Sequence, residues 1–209
     1  MLVARRGESG GPAIIDVLDG SYSPTAKLPY TIYPAAFNLT RPITDMSLRG
    51  GQGITHLHYT GTPLWKFGAG ESYTSFALSV EPPPLIADGA HVNTYLAAEE
   101  QAFTVRVENT GAVAGGTRVL GFVTCDDPAI GFPRQRLFGF AAVESLAPGE
   151  AATVALKLPS PRQLSVADAD GKQWLHPTTF SVHVGGPPGE AATVVQAIEL
   201  RGGAGPVRV

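Results

Sequence analysis

Residues 59–76 read YTGTPLWKFGAGESYTSF. A Gly-Thr-Pro turn, aromatic residues at 65 and 67 and a Gly-Ala-Gly break separate two runs of strand-forming residues. Glycine and proline are the strongest local interruptions of regular structure. The spacing of apolar residues is helical before this stretch and alternates after it. The stretch therefore separates a part of the chain with helical spacing from a part with alternating spacing.

The chain after the stretch has the pattern of antiparallel strands. Apolar and polar residues alternate in most candidate strands, and turn residues such as Pro148-Gly149 separate them. One candidate is almost continuously apolar, as expected for a central strand. The candidates are 76–80, 103–107, 119–125, 154–158, 180–184 and 194–200. Five to seven such strands predict a mainly β fold, an antiparallel β-sandwich.

The chain before the stretch predicts one helix and one strand. Pro12 suits the first helical turn, and Gly20 stands where a left-handed C-terminal cap is expected. The predicted helix covers residues 12–20 and the predicted strand covers 27–33, followed by irregular chain over 35–55. Because one helix and one strand cannot close a sheet, this unit needs further structure to pack against.

Three separate blocks of sequence resemble glycoside hydrolase family 3. Residues 59–76 are similar to the string Y-T-G-x-P-x-x-x-F-G-x-G-x-S-Y-T-x-F, which joins that family's second domain to a fibronectin type III-like module. Residues 10–34 resemble the end of its α/β sandwich domain. Residues 43–49, ITDMSLR, resemble the β-xylosidase-type branch. The branch usually continues into G-R-T-Y-R-F-Y, whereas residues 53–59 here contain neither arginine.

Marks of the fibronectin type III-like module follow in the family's order. VENTG, RLFGF and LAPGE occupy 107–111, 136–140 and 146–150. The resemblance implies an immunoglobulin/fibronectin type III-like β-sandwich preceded by a small α/β remnant. The domain boundaries that it implies are 1–34 for the α/β remnant, 35–75 for a linker, 76–201 for the sandwich and 202–209 for a tail.

The resemblance also implies a function. It identifies the chain as the non-catalytic C-terminal segment of a β-xylosidase/β-glucosidase, whose full-length form hydrolyses O-glycosyl bonds of xylo-oligosaccharides. The expected role is structural support of upstream glycosidase domains, with plant cell-wall polysaccharide as a further expected partner. An extracellular location follows from the family, although residues 1–11 lack a signal-peptide h-region. The alternative is a stand-alone carbohydrate-binding or adhesion module.

Composition excludes several other classes of protein. The net charge of −3 and the scattered cations do not favour nucleic acid. No apolar run approaches the roughly 20 residues that span a bilayer. Cys125 is the single cysteine, so no internal disulfide forms, and its apolar neighbours predict a buried structural thiol.

No catalytic residue is assigned from the sequence. Most glycosidases need two carboxylates facing each other across the sugar. Neither catalytic motif of the family is present, so this chain alone is expected to be inactive. The candidate carboxylates for such a pair are Asp16, Asp45, Asp126, Asp127, Asp168 and Asp170.

A third hypothesis, a serine hydrolase, rests on residues 7–11. The sequence GESGG matches a nucleophile elbow around Ser9, but the strand that should precede it is barely present. In the order found in serine proteases, the histidine and the carboxylate would have to precede Ser9. The interpretation preferred here is a loop that enters the first helix.

Three aromatic residues are candidates for carbohydrate contact, because flat apolar rings with polar edges stack on sugars. They are Trp65, Tyr73 and Trp174. Packing of the linker and the sandwich core is the preferred interpretation of the same residues. Asn38-Leu39-Thr40 is an N-glycosylation sequon, which matters only in the secretory pathway.

No metal site or cofactor is predicted. Residues 168–171 begin like a calcium loop but lack the later ligands, so a polar turn is expected. His56 and His58 are expected to share the face of a strand, and two histidines alone do not complete a zinc site.

Overall fold

The structure is a computed structural model that describes residues 9–83, 90–91, 95, 101–189, 193–202 and 205–209. Within these residues, eleven strands follow a helix (Gly10–Leu18), a 3₁₀ helix (Ala35–Leu39) and a single helical turn (Thr55–His58). A second 3₁₀ helix (Pro128–Ile130) and a second helical turn (Pro161–Leu164) lie between strands. The strands are β1 (Phe76–Glu81), β2 (Ala90–His91), β3 (Ala102–Asn109), β4 (Gly115–Cys125), β5 (Arg136–Leu146), β6 (Ala151–Lys157), β7 (Val166–Ala167), β8 (Gln173–Leu175), β9 (Thr179–Gly185), β10 (Val194–Arg201) and β11 (Val207–Arg208). The mainly β prediction is confirmed.

Two sheets form the body of the molecule. One has the order β1-β3-β6 and is antiparallel throughout. The other has the order β2-β10-β9-β4-β5, with antiparallel pairs except for the short parallel pair β2-β10. A small third sheet, β11-β8-β7, includes residues 207–208 near the end of the chain.

The core lies between the two large sheets. Phe103, Val105 and Val107 of β3 are fully buried, while the residues between them are exposed or half-buried. They pack in one cluster with side chains of the facing sheet such as Phe180 and Val182 of β9. A sheet with one apolar face must bury that face against another layer, which is the reason for the alternating pattern in the sequence. The arrangement is a β-sandwich.

Strand β4 is buried on both faces. Val119 and Val123 point into the core, whereas Leu120 and Phe122 are buried outside that cluster. A segment of the chain that precedes the sandwich covers this outer face. The ring of Phe67 meets the ring of Phe122 edge to face, with centroids 5.9 Å apart. Two-sided burial explains why β4 reads as a continuous apolar run.

The approach of this covering segment depends on Gly68. Its φ is +85°, and a Cβ atom built there would lie 2.8 Å from Leu120 Cδ1 and 3.2 Å from Phe122 Cζ. Residues other than glycine rarely adopt that φ, and here they would also collide with the sheet. Gly68 therefore fixes how closely the segment lies on the sandwich.

The side chain of Asn109 provides a second attachment. It is fully buried at the end of β3. Its amide donates to the carbonyls of Val113 and Leu146, each at 2.8 Å. Its oxygen accepts from Thr74 Oγ1 at 2.6 Å and from the Gly111 N–H at 3.0 Å. The motif 107–111 thus joins β1's entry, the turn before β4 and the end of β5.

The segment before the sandwich differs in part from the sequence-based prediction. The helix α1 covers Gly10–Leu18, so it begins two residues earlier than expected, and Gly20 has the expected left-handed φ of +85°. The predicted strand over 27–33 is wrong: only Ile32 forms an isolated bridge, with Trp65. Residues 28–32 hydrogen-bond to residues 64–69, as in the Leu28 N–H that donates to the Ala69 carbonyl at 2.8 Å. Pro29 cannot donate, so these bonds do not form a continuous ladder. None of the described helices is long and apolar enough to cross a membrane.

We expect Gly68→Ala to lower the free energy of unfolding by about 2–4 kcal/mol, because backbone strain and overpacking add. The matched control is Gly149→Ala, where φ is +78° but a Cβ atom would meet nothing within 4 Å. The control is expected to lose only the backbone strain, about 1–2 kcal/mol. Urea denaturation followed by tryptophan fluorescence measures both. Equal losses would contradict close packing of the segment on β4.

Candidate interaction surface

The three aromatic residues proposed for carbohydrate contact lie at separate places. Trp65 and Tyr73 are about half exposed, on the segment before the sandwich. The hydroxyl of Tyr73 donates to the carbonyl of Val17 at 2.5 Å and so ties the segment to α1. Trp174 of β8 is half-buried, and its Nε1 donates to Asp168 Oδ2 at 2.7 Å. Within the described residues, no ring contact joins any two of the three. Their role as sugar contacts stays a prediction.

Asp45, Asp127 and Asp168 serve local structure. Asp45 pairs with Arg41 at 3.3 Å, and Asp127 accepts from the Ala129 N–H at 2.9 Å. Asp168 Oδ1 accepts from the backbone N–H groups of Asp170 and Lys172, which confirms the predicted polar turn. Two cavities, of about 230 and about 250 Å³, have no carboxylate in their linings. These contacts provide no facing pair of acids.

The residues around Ser9 and the histidines also differ from catalytic or ligand sites. Ser9 is the N-cap residue of α1, and its side chain makes no capping hydrogen bond. The expected strand with His56 and His58 on one face is wrong, because Thr55–His58 forms a single helical turn. Residues two apart on a helix point in different directions. Cys125 is half-buried rather than buried, and burial raises the pKa of its thiol.

His56 is held by packing. Its ring stacks on Phe67 with centroids 4.1 Å apart and planes at 22°. Burial lowers the pKa of His56, and the nearby His58 lowers it further. The pKa of His58 is also lowered, by burial and by the charges of Arg49 and Arg136. Burial therefore favours the neutral form of both imidazoles in the folded chain.

The segment between residues 15 and 73 carries most of the exposed apolar surface. Eleven of the fifteen large apolar side chains that are exposed in the described residues lie in this segment. Leu39, Ile43 and Met46 are 89%, 98% and 85% exposed. The remaining eight are Ile15, Leu18, Tyr22, Tyr30, Leu48, Leu64, Trp65 and Tyr73. We call these eleven residues the apolar surface.

A small aromatic cluster anchors the part of the segment that carries Leu39. Tyr33 stacks on Phe37 with centroids 4.3 Å apart, and both rings meet the buried Tyr59 edge to face. Phe37 lies in the 3₁₀ helix Ala35–Leu39, which also carries the exposed sequon residue Asn38. The helix is thus anchored by one aromatic ring while Leu39 points away from it. The exposed apolar side chains of this ordered segment are candidates for contact with another domain.

Comparison with known proteins places these features in a family. Residues 119–188, from β4 to just beyond β9, match the fibronectin type III-like domain. The exo-1,4-beta-xylosidase xlnD of Emericella nidulans is 29% identical over 94% of this chain, and that of Aspergillus oryzae is 31% identical over 84%. The chain is homologous to the C-terminal region of family 3 xylosidases.

Solved structures agree. The family 3 exo-beta-xylosidase XlnD in complex with a xylobiose aziridine probe superposes with a TM-score of 0.81 at 27% identity, over 97% of this chain. The beta-D-glucoside glucohydrolase of Trichoderma reesei superposes with a TM-score of 0.70, also at 27% identity, over 93%. This chain spans about a quarter of the length of these relatives: 26% and 24% for the two xylosidases. It matches the fibronectin type III-like, non-catalytic part of the longer enzymes.

Sequence reasoning about the family 3 segment missed the apolar surface. A signal was present, because Leu39, Ile43 and Met46 stand in a stretch with no helical or strand periodicity. Apolar residues without a period cannot form the buried face of one element. Such residues in an otherwise irregular, ordered stretch are candidates for burial by another domain.

We expect the free energy of unfolding of this chain to fall as the pH drops from about 7 to about 5. Burial lowers the folded-state pKa of His56, His58 and His183. Below the ordinary histidine pKa of about 6.5, the unfolded chain binds more protons than the folded chain. Protonation therefore stabilises the unfolded state and lowers the free energy of unfolding. Above that pH all three are neutral in both states and contribute nothing to the slope. Urea denaturation across this range measures the effect.

The histidine origin of the pH effect is tested by substitution. His56→Gln is expected to flatten the dependence, and the double variant His56→Gln/His183→Gln is expected to flatten it further. A slope that is unchanged in both variants would show that other groups cause it.

Proposed function

We propose that this chain supports the catalytic domains of a family 3 β-xylosidase by docking its apolar surface against them. In the full-length enzyme those domains would hydrolyse O-glycosyl bonds of xylo-oligosaccharides, and the protein would act outside the cell. The boundaries 1–34, 35–75, 76–201 and 202–209 are the domain division that we propose. The exposure of Leu39, Ile43 and Met46 is the observation that carries the docking proposal.

The energetics favour a covered surface. Burying one leucine or isoleucine side chain contributes about 1.5–3 kcal/mol. In the chain by itself, Leu39 and Ile43 contribute almost none of this, because they lie in water. In the matched enzymes the homologous region makes up about a quarter of the length, and about three quarters of the chain lies outside it. A neighbouring domain of the same enzyme is therefore the occupant that we propose.

The first test is the coding sequence upstream of residue 1. We expect an in-frame family 3 barrel and α/β domain there, or a transcript that joins them to this region. Their absence from every transcript that covers this chain would contradict the proposal. The purified chain is expected to show no turnover of aryl β-xylosides. Turnover that is lost on substituting one of its own carboxylates would overturn the non-catalytic role.

The docking surface is tested in the longer protein. We expect Leu39→Ser/Ile43→Ser to lower its thermal midpoint by several degrees, because about 3–6 kcal/mol of apolar burial is lost. The same double variant should change the unfolding free energy of the isolated chain by less than about 0.5 kcal/mol, since both residues are exposed there. Phe140→Ser is the control, because Phe140 is an exposed apolar residue of β5 outside the apolar surface. A midpoint lowered equally by the control would contradict docking through this surface.

The alternative function, a carbohydrate-binding or adhesion module, is favoured by the half-exposed ring of Trp65. Plant cell-wall polysaccharide is its proposed ligand. Pull-down with xylan or cellulose distinguishes the two functions. The experiment uses the chain without upstream domains. If this chain binds the polysaccharide and either Trp65→Ala or Trp174→Ala abolishes the binding, the module is favoured over the support role.

A further inference from the structure

A cavity of about 250 Å³ lies between the segment before the sandwich and the outer face of β4. The segment contributes His56, Lys66 and Phe67 to its lining, and the sandwich contributes Thr124, Arg134 and Gln135. The segment lies against the sheet here because its backbone hydrogen-bonds to the loop after β4: the Arg134 N–H donates to the Leu57 carbonyl at 2.8 Å. The cavity is separate from Leu39, Ile43 and Met46.

The lining is cationic. It contains Lys66 and Arg134 and no carboxylate, although the chain as a whole has a net charge of −3. Lys66 Nζ donates only to the carbonyl of Pro188 among described residues, at 3.3 Å. The guanidinium of Arg134 has no hydrogen bond or ion pair with any residue that the structure describes. Two positive groups with no counter-charge among the described residues of the lining favour an anion, and an arginine fork suits a carboxylate.

The other groups of the lining suit a sugar ring. Phe67 and His56 stack on each other and form an apolar wall of aromatic rings. Hydroxyl and amide groups lie nearby: Thr124 Oγ1 is 3.0 Å from His183 Nε2, and Gln135 lines the cavity. A mainly apolar wall with a few convergent polar groups is the usual construction of a small-molecule site. The volume is just below the about 300–1,000 Å³ typical of drug-sized ligands, which suits one monosaccharide unit.

One residue of the lining has a strained backbone. Thr55 has a φ of +61°, the single positive value among the described residues other than glycine. For a β-branched residue this conformation is a genuine outlier. It is held by the backbone N–H of Thr55, which donates to the Tyr33 hydroxyl at 2.6 Å. Strained residues of this kind cluster at ligand sites, where the surrounding structure holds them in place.

We propose that this cavity binds a uronic acid residue of an acidic carbohydrate. The carboxylate pairs with Arg134 and Lys66, the ring lies against Phe67 and His56, and the ring hydroxyls hydrogen-bond to Thr124 and Gln135. The site requires no catalytic group and no docked domain, so it goes beyond the support role and is testable in the isolated chain.

The test is an NMR titration of the ¹⁵N-labelled chain with methyl β-D-glucuronide and, in parallel, with neutral methyl β-D-glucoside. We expect the glucuronide to bind with a millimolar Kd, about ten-fold or more below that of the glucoside. The shifted amides should include those of residues 55–56, 66–67, 124 and 134–135. About 0.5 M NaCl should weaken the binding, because the ion pairs are accessible to solvent. No saturable binding of the glucuronide, or equal binding of the glucoside, would overturn the proposal.

Variants locate the site. Arg134→Gln and Lys66→Gln are each expected to raise the Kd for the glucuronide by about five-fold or more. Arg208→Gln, an exposed arginine of β11 outside the lining, is the matched control and should leave the Kd unchanged. All three positions are exposed, so the ¹⁵N spectra should show intact folding. An unchanged Kd in Arg134→Gln would overturn the assignment.

A carboxylate that binds this cavity could belong to a sugar or to a glutamate side chain of another protein, and further titrations distinguish the two. Acetate carries the charge without a ring, and N-acetylglutamic acid α-amide imitates a glutamate side chain of another protein. Both should bind more weakly than the glucuronide. If either binds as tightly, the sugar ring contributes nothing, and the assignment to uronic acids is wrong.

Discussion

The packing of Phe67 and Gly68 on Leu120 and Phe122 is the constraint on which the rest of the structure depends. It buries the second apolar face of β4, whose first face lies in the sandwich core. It holds a segment without a core of its own against a sandwich that has a complete one. Because Gly68 permits a backbone approach that a Cβ atom would prevent, the close packing of residues 67–68 on β4 depends on this one residue.

Two functional features follow from that position. The segment carries the apolar surface, whose exposed side chains suit a neighbouring domain of a family 3 enzyme in the proposal above. On the side toward the sheet, the same segment closes a cavity whose lining is cationic and partly aromatic. One face thus has the chemistry of a protein interface and the other the chemistry of a small polar ligand site. The sandwich is the rigid element that holds both in place.

Elements with a periodic apolar pattern were predictable from the sequence. Features that depend on contacts between distant residues were not. Strands such as β3 were predictable because one buried face leaves an alternating pattern, as at Phe103, Val105 and Val107. The strand over 27–33 failed because its residues have strand propensity but meet residues 64–69 only at interrupted hydrogen bonds, with Pro29 unable to donate. His56 was misplaced for a similar reason: its helical turn begins at the strained Thr55, whose N–H donates to the distant Tyr33 hydroxyl. The cavity was invisible because no local pattern brings Lys66 near Arg134.

Burial of β4 on its second face also limits how this sandwich can move between proteins. Gene recombination at residue 76 would transfer every strand of the two large sheets and leave Leu120 and Phe122 uncovered. The recombinant protein would then expose an apolar sheet face to solvent, unless another of its segments packed against that face. The inheritable module is therefore longer than the β-sandwich itself, and it begins upstream of Phe67.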